Sequence, residues 1–269
     1  MIQFRCPSCA ETIQAAASAA GKAGSCPRCG QTCTVPAAGP GPALPPDFDE
    51  ATAAVCRFVQ PFTMTSLERI YALCRSVEYV IAHDIPGDIV ECGVWKGGSM
   101  MAVARTLMEK GATRKLHLFD TFEGMPEPGD VDRDFRGEAA AARMKRENRN
   151  TSAVWAYSPL DEVKRNLRTT GYNEREIVFT QGKVEDTVPA LAPKRIALLR
   201  LDTDWYESTY HELVHLYPRL SVGGVLIIDD YGHWQGARRA VDQYVREKNL
   251  KILLNRIDYT GRIGVKLEP

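Results

Sequence analysis

The chain of 269 residues carries 34 basic and 34 acidic side chains, so no overall field recruits nucleic acid or an anionic membrane. At 44% hydrophobic and 25% charged, its composition is that of a soluble globular protein with room for one large α/β domain and a small appendage. No apolar stretch approaches the roughly 20 residues of a membrane span, and the N-terminus lacks the basic-then-apolar layout of a secretory signal, which points to the cytoplasm.

Cys6, Cys9, Cys26 and Cys29 are spaced C-x2-C-x16-C-x2-C, within the range of a four-thiolate zinc ribbon. Each pair is a Cys-Pro-x-Cys turn, and Gly30 follows the second. Residues 1–36 hold few large apolar side chains, so a metal or disulfide staple is needed for this segment to fold. Without an export signal the expected staple is Zn2+. Cys33 is either a substitute ligand or a bystander. Cys56, Cys74 and Cys92 are scattered; the last two lie in apolar patterns and are expected to be buried. Residues 37–46, rich in Pro and Gly, read as a semi-extended linker, and the main domain covers 47–269.

From Ser66, an expected N-cap, Leu67, Ile70, Tyr71, Cys74, Val77 and Ile81 recur at helical spacing until Pro86-Gly87. Residues 88–92 form a first strand, followed by a glycine-rich turn and a helix over about 98–110. Residues 116–120 form a second strand, helices follow around 138–149 and 160–170, and 177–179 is a third strand. The apolar runs 196–201 and 224–228 are the fourth and fifth strands, separated by a helix at 206–217 and followed by another at 236–248. Residues 251–254 and 263–267 complete a seven-stranded sheet. Alternating strands and helices imply a parallel, Rossmann-like α/β sheet. The short turn at 258–261 demands that the last pair be antiparallel. That combination is the pattern of class I S-adenosylmethionine-dependent methyltransferases.

Ligands of open α/β sheets bind beyond the carboxyl ends of the strands. Two acidic clusters stand there, Asp202-Thr203-Asp204 after the fourth strand and Asp229-Asp230 after the fifth. Up to four carboxylates converging on one cleft resist desolvation and repel one another, so a cation is expected among them. Oxygen-only donors favour a hard ion, Mg2+ first. At the first strand, Glu91, Gly93 and Ser99 belong to a turn whose glycines admit a ligand to the backbone and whose helix N-terminus attracts an anion, in a methyltransferase the methionine carboxylate. Asp120 closes the second strand, where an acid accepts from ribose hydroxyls. The turn from Gly182 to Asp186 is placed to flank an adenine. The alternative is that the glycines only permit a tight turn and Asp120 caps it. The G-x-x-x-G-G spacing disfavours a nicotinamide site.

Five stretches carry a closer resemblance: 61–65, 89–99, 119–126, 201–209 and 228–234. Together they resemble the macrocin O-methyltransferase family from about residue 58 to 248. The resemblance implies methylation of sugar hydroxyls, often deoxysugars on antibiotics, with S-adenosylmethionine and Mg2+. It also implies Asp202, Asp229 and Asp230 as metal ligands, Asp204 as general base, and a segment around Thr63 and Met64 folded over the cofactor. The acceptor is then a small-molecule sugar or glycoside, and the enzyme a homo-oligomer. The ribbon lies outside the family pattern.

A sugar hydroxyl is a poor nucleophile, and a cation plus a base would activate it. His233 is the alternative base. Trp205, Tyr206, Tyr231 and Trp234 supply either faces for a sugar ring or ordinary packing. The cations at Arg133, Arg136, Arg143, Lys145, Arg146 and Arg149 are either a solvated helix face or a lid for an acidic or phosphorylated acceptor. Competing readings are a catechol-type methyltransferase, a glycosyltransferase using Asp202-Thr203-Asp204 as a D-x-D signal, and a binding protein whose ribbon docks a partner.

Overall fold

The computed structural model describes residues 2–9, 11–15, 19, 21–35 and 44–269. Residues 37–43 of the expected linker lie outside them. The chain forms two compact units, Met1–Asp47 and Phe48–Pro269. The first holds two antiparallel hairpins, β1 (Ile2–Arg5) with β2 (Thr12–Ala15) and β3 (Ala23–Ser25) with β4 (Thr32–Thr34). Cys6, Cys26 and Cys33 are buried between them, with Phe4 and Ile13 packed alongside.

The second unit opens with α1 (Glu50–Val59) and α2 (Leu67–Ala82). Ser66 caps α2 by accepting from the Arg69 backbone N–H. Then come β5 (Asp88–Cys92), α3 (Gly98–Glu109), β6 (Leu116–Asp120), α4 (Ala140–Arg146), α5 (Leu160–Arg168), β7 (Ile177–Gln181) and α6 (Val184–Thr187). The chain finishes with β8 (Ile196–Leu201), α7 (Tyr206–Leu216), β9 (Leu220–Ile228), α8 (Gln235–Glu247), β10 (Asn255–Arg256) and β11 (Arg262–Val265). The sheet order is β10-β11-β9-β8-β5-β6-β7. Pairings from β9 to β7 are parallel, while β11 runs antiparallel to both β9 and β10. This is the Rossmann-like methyltransferase sheet expected. The chain leaves β5 in one direction and returns to β8 on its other side, so the crevice between their carboxyl ends is the switch point where ligands bind.

The expected sixth strand does not form over 251–254. Ile252 and Leu254 do pack against the core, but Leu253 is 79% exposed, and ladder pairing begins only at Asn255. The register is fixed by the turn beyond it: Asp258 accepts from the backbone N–H groups of Thr260 and Gly261. Among the described residues no helix is long and apolar enough to cross a membrane.

Candidate functional site

A cavity of about 320 Å³ opens at the switch point. One side is the turn from β5 to α3. Gly93 has φ +82°, and a Cβ there would lie 1.9 Å from the Asp202 carbonyl oxygen, so only glycine lets β5 and β8 end this close together. Gly98 presses on the Phe62 carbonyl, where a Cβ would stand 2.5 Å away. The segment from Phe62 to Thr65 therefore rests on the N-terminus of α3. Thr63, Met64, Gly93, Ser99, Asp120 and Gly182 all line the cavity.

Three cofactor candidates sit differently from expectation. Asp120 accepts from the backbone N–H groups of Val94 (2.6 Å) and Trp95 (3.1 Å) through one oxygen, and of Phe122 (2.7 Å) through the other. Its carboxylate thus also clamps the glycine turn. Asp186 is exposed and outside the lining, because the one-turn helix α6 points Glu185 into the cavity instead. Glu91 is wholly buried beneath the cavity, bound to Arg200 at 2.7 Å, and burial raises its carboxyl from 4.5 to about 7. Its Oε2 has no hydrogen-bond partner.

The opposite side holds the acids. Oxygens of Asp202, Asp204 and Asp230 all lie within 4.8 Å of one another. Burial pushes the carboxyls of Asp202 and Asp230 well above the carboxylate range, and burial plus the Asp202 charge brings Asp204 to about 7. Three crowded carboxylates of this kind form a donor set that fits a hard cation. Asp204 is held at φ +65°, a left-handed conformation that Asp tolerates better than most residues.

Asp229 does not join this trio, contrary to the role implied by resemblance. Its Oδ1 accepts from Arg200 Nη2 at 2.6 Å, its Oδ2 pairs with Arg69, and its side chain is buried. Asp229 still lines the cavity beside Asp230, but its two oxygens are turned to the arginines rather than to the other acids.

His233 lines the cavity, with Nδ1 3.0 Å from the Tyr259 hydroxyl, and burial lowers its pKa. Trp205 and Trp234 form a buried edge-to-face pair, and only Trp234 reaches the lining. The Tyr206 and Tyr231 hydroxyls donate to Gln243 and Asp242, away from the lining. The aromatic mouth lies elsewhere: Tyr259 (53% exposed) and Phe135 (51% exposed) converge on His233. Of the basic stretch, only Arg143 lines the cavity, and it is paired with Glu147 at 2.8 Å. Arg146 pairs with Glu138.

Sequence reasoning passed over three contributors. Asp132 accepts from the Tyr206 backbone N–H at 2.8 Å and so caps α7. Arg69, which lines the cavity, and Arg200, buried outside the lining, hold Asp202 and Asp229. An arginine inside the apolar run of β8 was the available signal for Arg200.

A model of the macrocin O-methyltransferases (TylF) matches residues 47–264. The chain belongs to this family. It is an S-adenosylmethionine-dependent O-methyltransferase, which displaces the glycosyltransferase and inactive-binder readings. This methyltransferase is 39% identical over 204 residues to the 8-demethyl-8-(2,3-dimethoxy-alpha-L-rhamnosyl)-tetracenomycin-C 4'-O-methyltransferase of Streptomyces olivaceus, covering 74% of this chain and 73% of that one. It is 36% identical to the demethyldecarbamoylnovobiocin O-methyltransferase of Streptomyces niveus, over the same shares. The solved structure of the O-methyltransferase NovP matches with TM-score 0.68 and 34% identity, across 77% of this chain and 83% of that one.

In the N-terminal unit, Cys6 and Cys29 Sγ lie 3.7 Å apart, as do those of Cys9 and Cys26, and all four sulfurs fall within 4.8 Å of one another. A tetrahedron with Zn–S bonds of about 2.3 Å has sulfur–sulfur edges of about 3.8 Å, so the cluster fits Zn2+. Backbone N–H groups of Ser8 and Cys9 lower the Cys6 thiol to about 7. Cys33 is buried beside the four, outside the ligand cluster.

Proposed function

We propose that this enzyme transfers the methyl group of S-adenosylmethionine to a sugar hydroxyl of a small-molecule glycoside, using Mg2+ held by Asp202 and Asp230. The observation that carries the proposal is the convergence of Asp202, Asp204 and Asp230 in the same cavity as the glycine turn. The activities in the relatives' names support a glycoside acceptor: one names a rhamnosyl-tetracenomycin, one demethyldecarbamoylnovobiocin, and a third is the mycinamicin III 3''-O-methyltransferase of Micromonospora griseorubida.

Mg2+ characteristically takes one or two carboxylates and completes its shell with water and substrate. It would supply positive charge beside the acceptor hydroxyl, favouring loss of its proton. Asp204 accepts that proton. The hydroxyl oxygen attacks the sulfonium methyl carbon, the carbon–sulfur bond breaks, and its electron pair stays on sulfur in S-adenosylhomocysteine. Gly93 and Gly98 hold β8 and the Phe62–Thr65 segment close around the cavity, and the amides at the α3 N-terminus, with Ser99, receive the cofactor carboxylate. Asp120 faces the ribose and Glu185 replaces Asp186 toward the adenine. Asp229 acts by anchoring Arg200 and Arg69.

The half-exposed rings of Tyr259 and Phe135 suit an apolar aglycone beyond the sugar. Of the basic stretch only Arg143 lines the cavity, a thin cationic footprint for a diphosphate. Methyl transfer from labelled S-adenosylmethionine to matched sets of glycosides, free sugars, nucleotide sugars and catechols tests this directly. Glycosides are expected to be methylated fastest, and preference for a catechol would refute the sugar assignment.

For the N-terminal unit we propose one structural Zn2+ on Cys6, Cys9, Cys26 and Cys29. Metal analysis is expected to find one zinc per chain. A strong chelator should unfold residues 1–36 and leave the unfolding of the second unit unchanged. A chain containing no zinc yet resisting proteolysis across 1–36 would contradict this.

A further inference from the structure

Arg200 is the one charged residue within β8, and it is 2% exposed. Its Nη1 donates to Glu91 Oε1 and Asp202 Oδ2, both at 2.7 Å. Its Nη2 donates to Asp229 Oδ1 at 2.6 Å and to Thr65 Oγ1 at 3.2 Å. Thr65 ends the segment that lies on the α3 N-terminus and lines the cofactor side of the cavity. A single guanidinium thus touches an acid of the cation site and the segment against the cofactor.

A second tie runs in parallel. Ser66 Oγ donates to Asp258 Oδ2 at 2.7 Å, and Arg69, one turn into α2, pairs with both Asp258 and Asp229. Both attachments leave the same short stretch of chain, and both end on residues that flank the acids.

We propose that Arg200 is a positioning residue that couples the two ligands of this site, tying Asp202 and Asp229 to Thr65 so that divalent cation and cofactor bind cooperatively. The inference rests on the cation site proposed above. Its sign follows from hydrogen-bond competition. A cation beside Asp202 draws that carboxylate's charge away from Arg200. The guanidinium then binds its remaining acceptors, Thr65 among them, more firmly. A better-anchored segment loses less freedom when the cofactor arrives, which tightens binding. Direct repulsion between the cation and the sulfonium acts the other way. The neutral thioether S-adenosylhomocysteine, which lacks that charge, is therefore the appropriate probe.

Calorimetric titration of the full chain with S-adenosylhomocysteine, with and without saturating Mg2+, reads the coupling without any turnover. Linkage requires Mg2+ affinity to change by the same factor when the thioether is bound. The expected result is roughly 5-fold or greater tightening in the wild type. It should fall to within about 2-fold in Thr65→Val and be retained in Thr65→Ser, which keeps the hydroxyl. Each ligand alone should still bind Thr65→Val, which separates lost coupling from lost folding. If both ligands bind the wild type independently, or if Thr65→Val couples them as strongly as the wild type, the proposal is overturned. If Mg2+ does not bind the wild type at all, the cation site itself fails and the coupling fails with it.

Discussion

Replacing Asp202 or Asp230 with alanine is expected to lower turnover by more than about 100-fold, beyond the 10–100-fold typical of residues that merely support a metal ligand. Response to Mg2+ should vanish as well. Binding of S-adenosylhomocysteine without added metal should stay within a few fold of wild type, because the glycine turn, Ser99 and Asp120 approach the cavity from β5 and β6 rather than from β8 and β9. Asp204→Asn separates the two roles open to that residue. As the base, it should lose comparable activity while binding Mn2+ nearly as well as wild type; as a ligand, it should lose both. His233→Gln is expected to cost less than about 10-fold, since its Nδ1 already faces the Tyr259 hydroxyl. Loss of turnover in His233→Gln but not in Asp204→Asn would transfer the base to the histidine.

Arg200→Leu is expected to be the most destabilising single substitution in the second unit. It would leave Glu91 without its buried counter-ion, Asp229 with Arg69 alone, and Asp202 without its closest partner. Removing one member of such a buried network costs about 3–5 kcal/mol, which in a unit of this size lowers Tm by on the order of 10 °C. The defect should also depend on pH. Glu91 titrates at about 7 in the folded chain against 4.5 ordinarily, with burial as the main cause. A carboxyl raised on folding binds more protons in the native state, so stability is fullest below 4.5 and is lost as pH rises toward 7. Without Arg200 that upward shift grows, so the loss of Tm should be smaller near pH 5 than near pH 8. Equal losses at both would mean that buried charge is not the cause.

The placement of the acids was legible because the strings Ile196–Leu201 and Val225–Ile228 are too apolar to be anything but buried strands, and carboxylates follow each at once. The glycine turn was legible for a similar reason, as three glycines and a serine between strand and helix. What the sequence concealed is direction and distance. Asp229 and Asp230 look equivalent in a string and both line the cavity, yet one of them is spent on two arginines. Asp204 reaches the cluster through a left-handed backbone that no pattern announces. The Asp132 cap on α7 and the Thr65 contact to Arg200 join residues separated by 74 and 135 positions. Such pairs follow from the tertiary fold and have no local signature. The shift of the sixth strand from 251–254 to Asn255–Arg256 is a further case, where a short apolar run marked the packing of Ile252 and Leu254 but not the ladder.

In the proposed reaction a divalent cation on Asp202 and Asp230 activates a sugar hydroxyl. Turnover of the best glycoside acceptor should be followed after dialysis against excess EDTA, then after restoring Mg2+. The expected result is loss of methyl transfer in EDTA, full recovery with Mg2+, and no recovery in Asp230→Ala. Undiminished methylation in excess EDTA would contradict it.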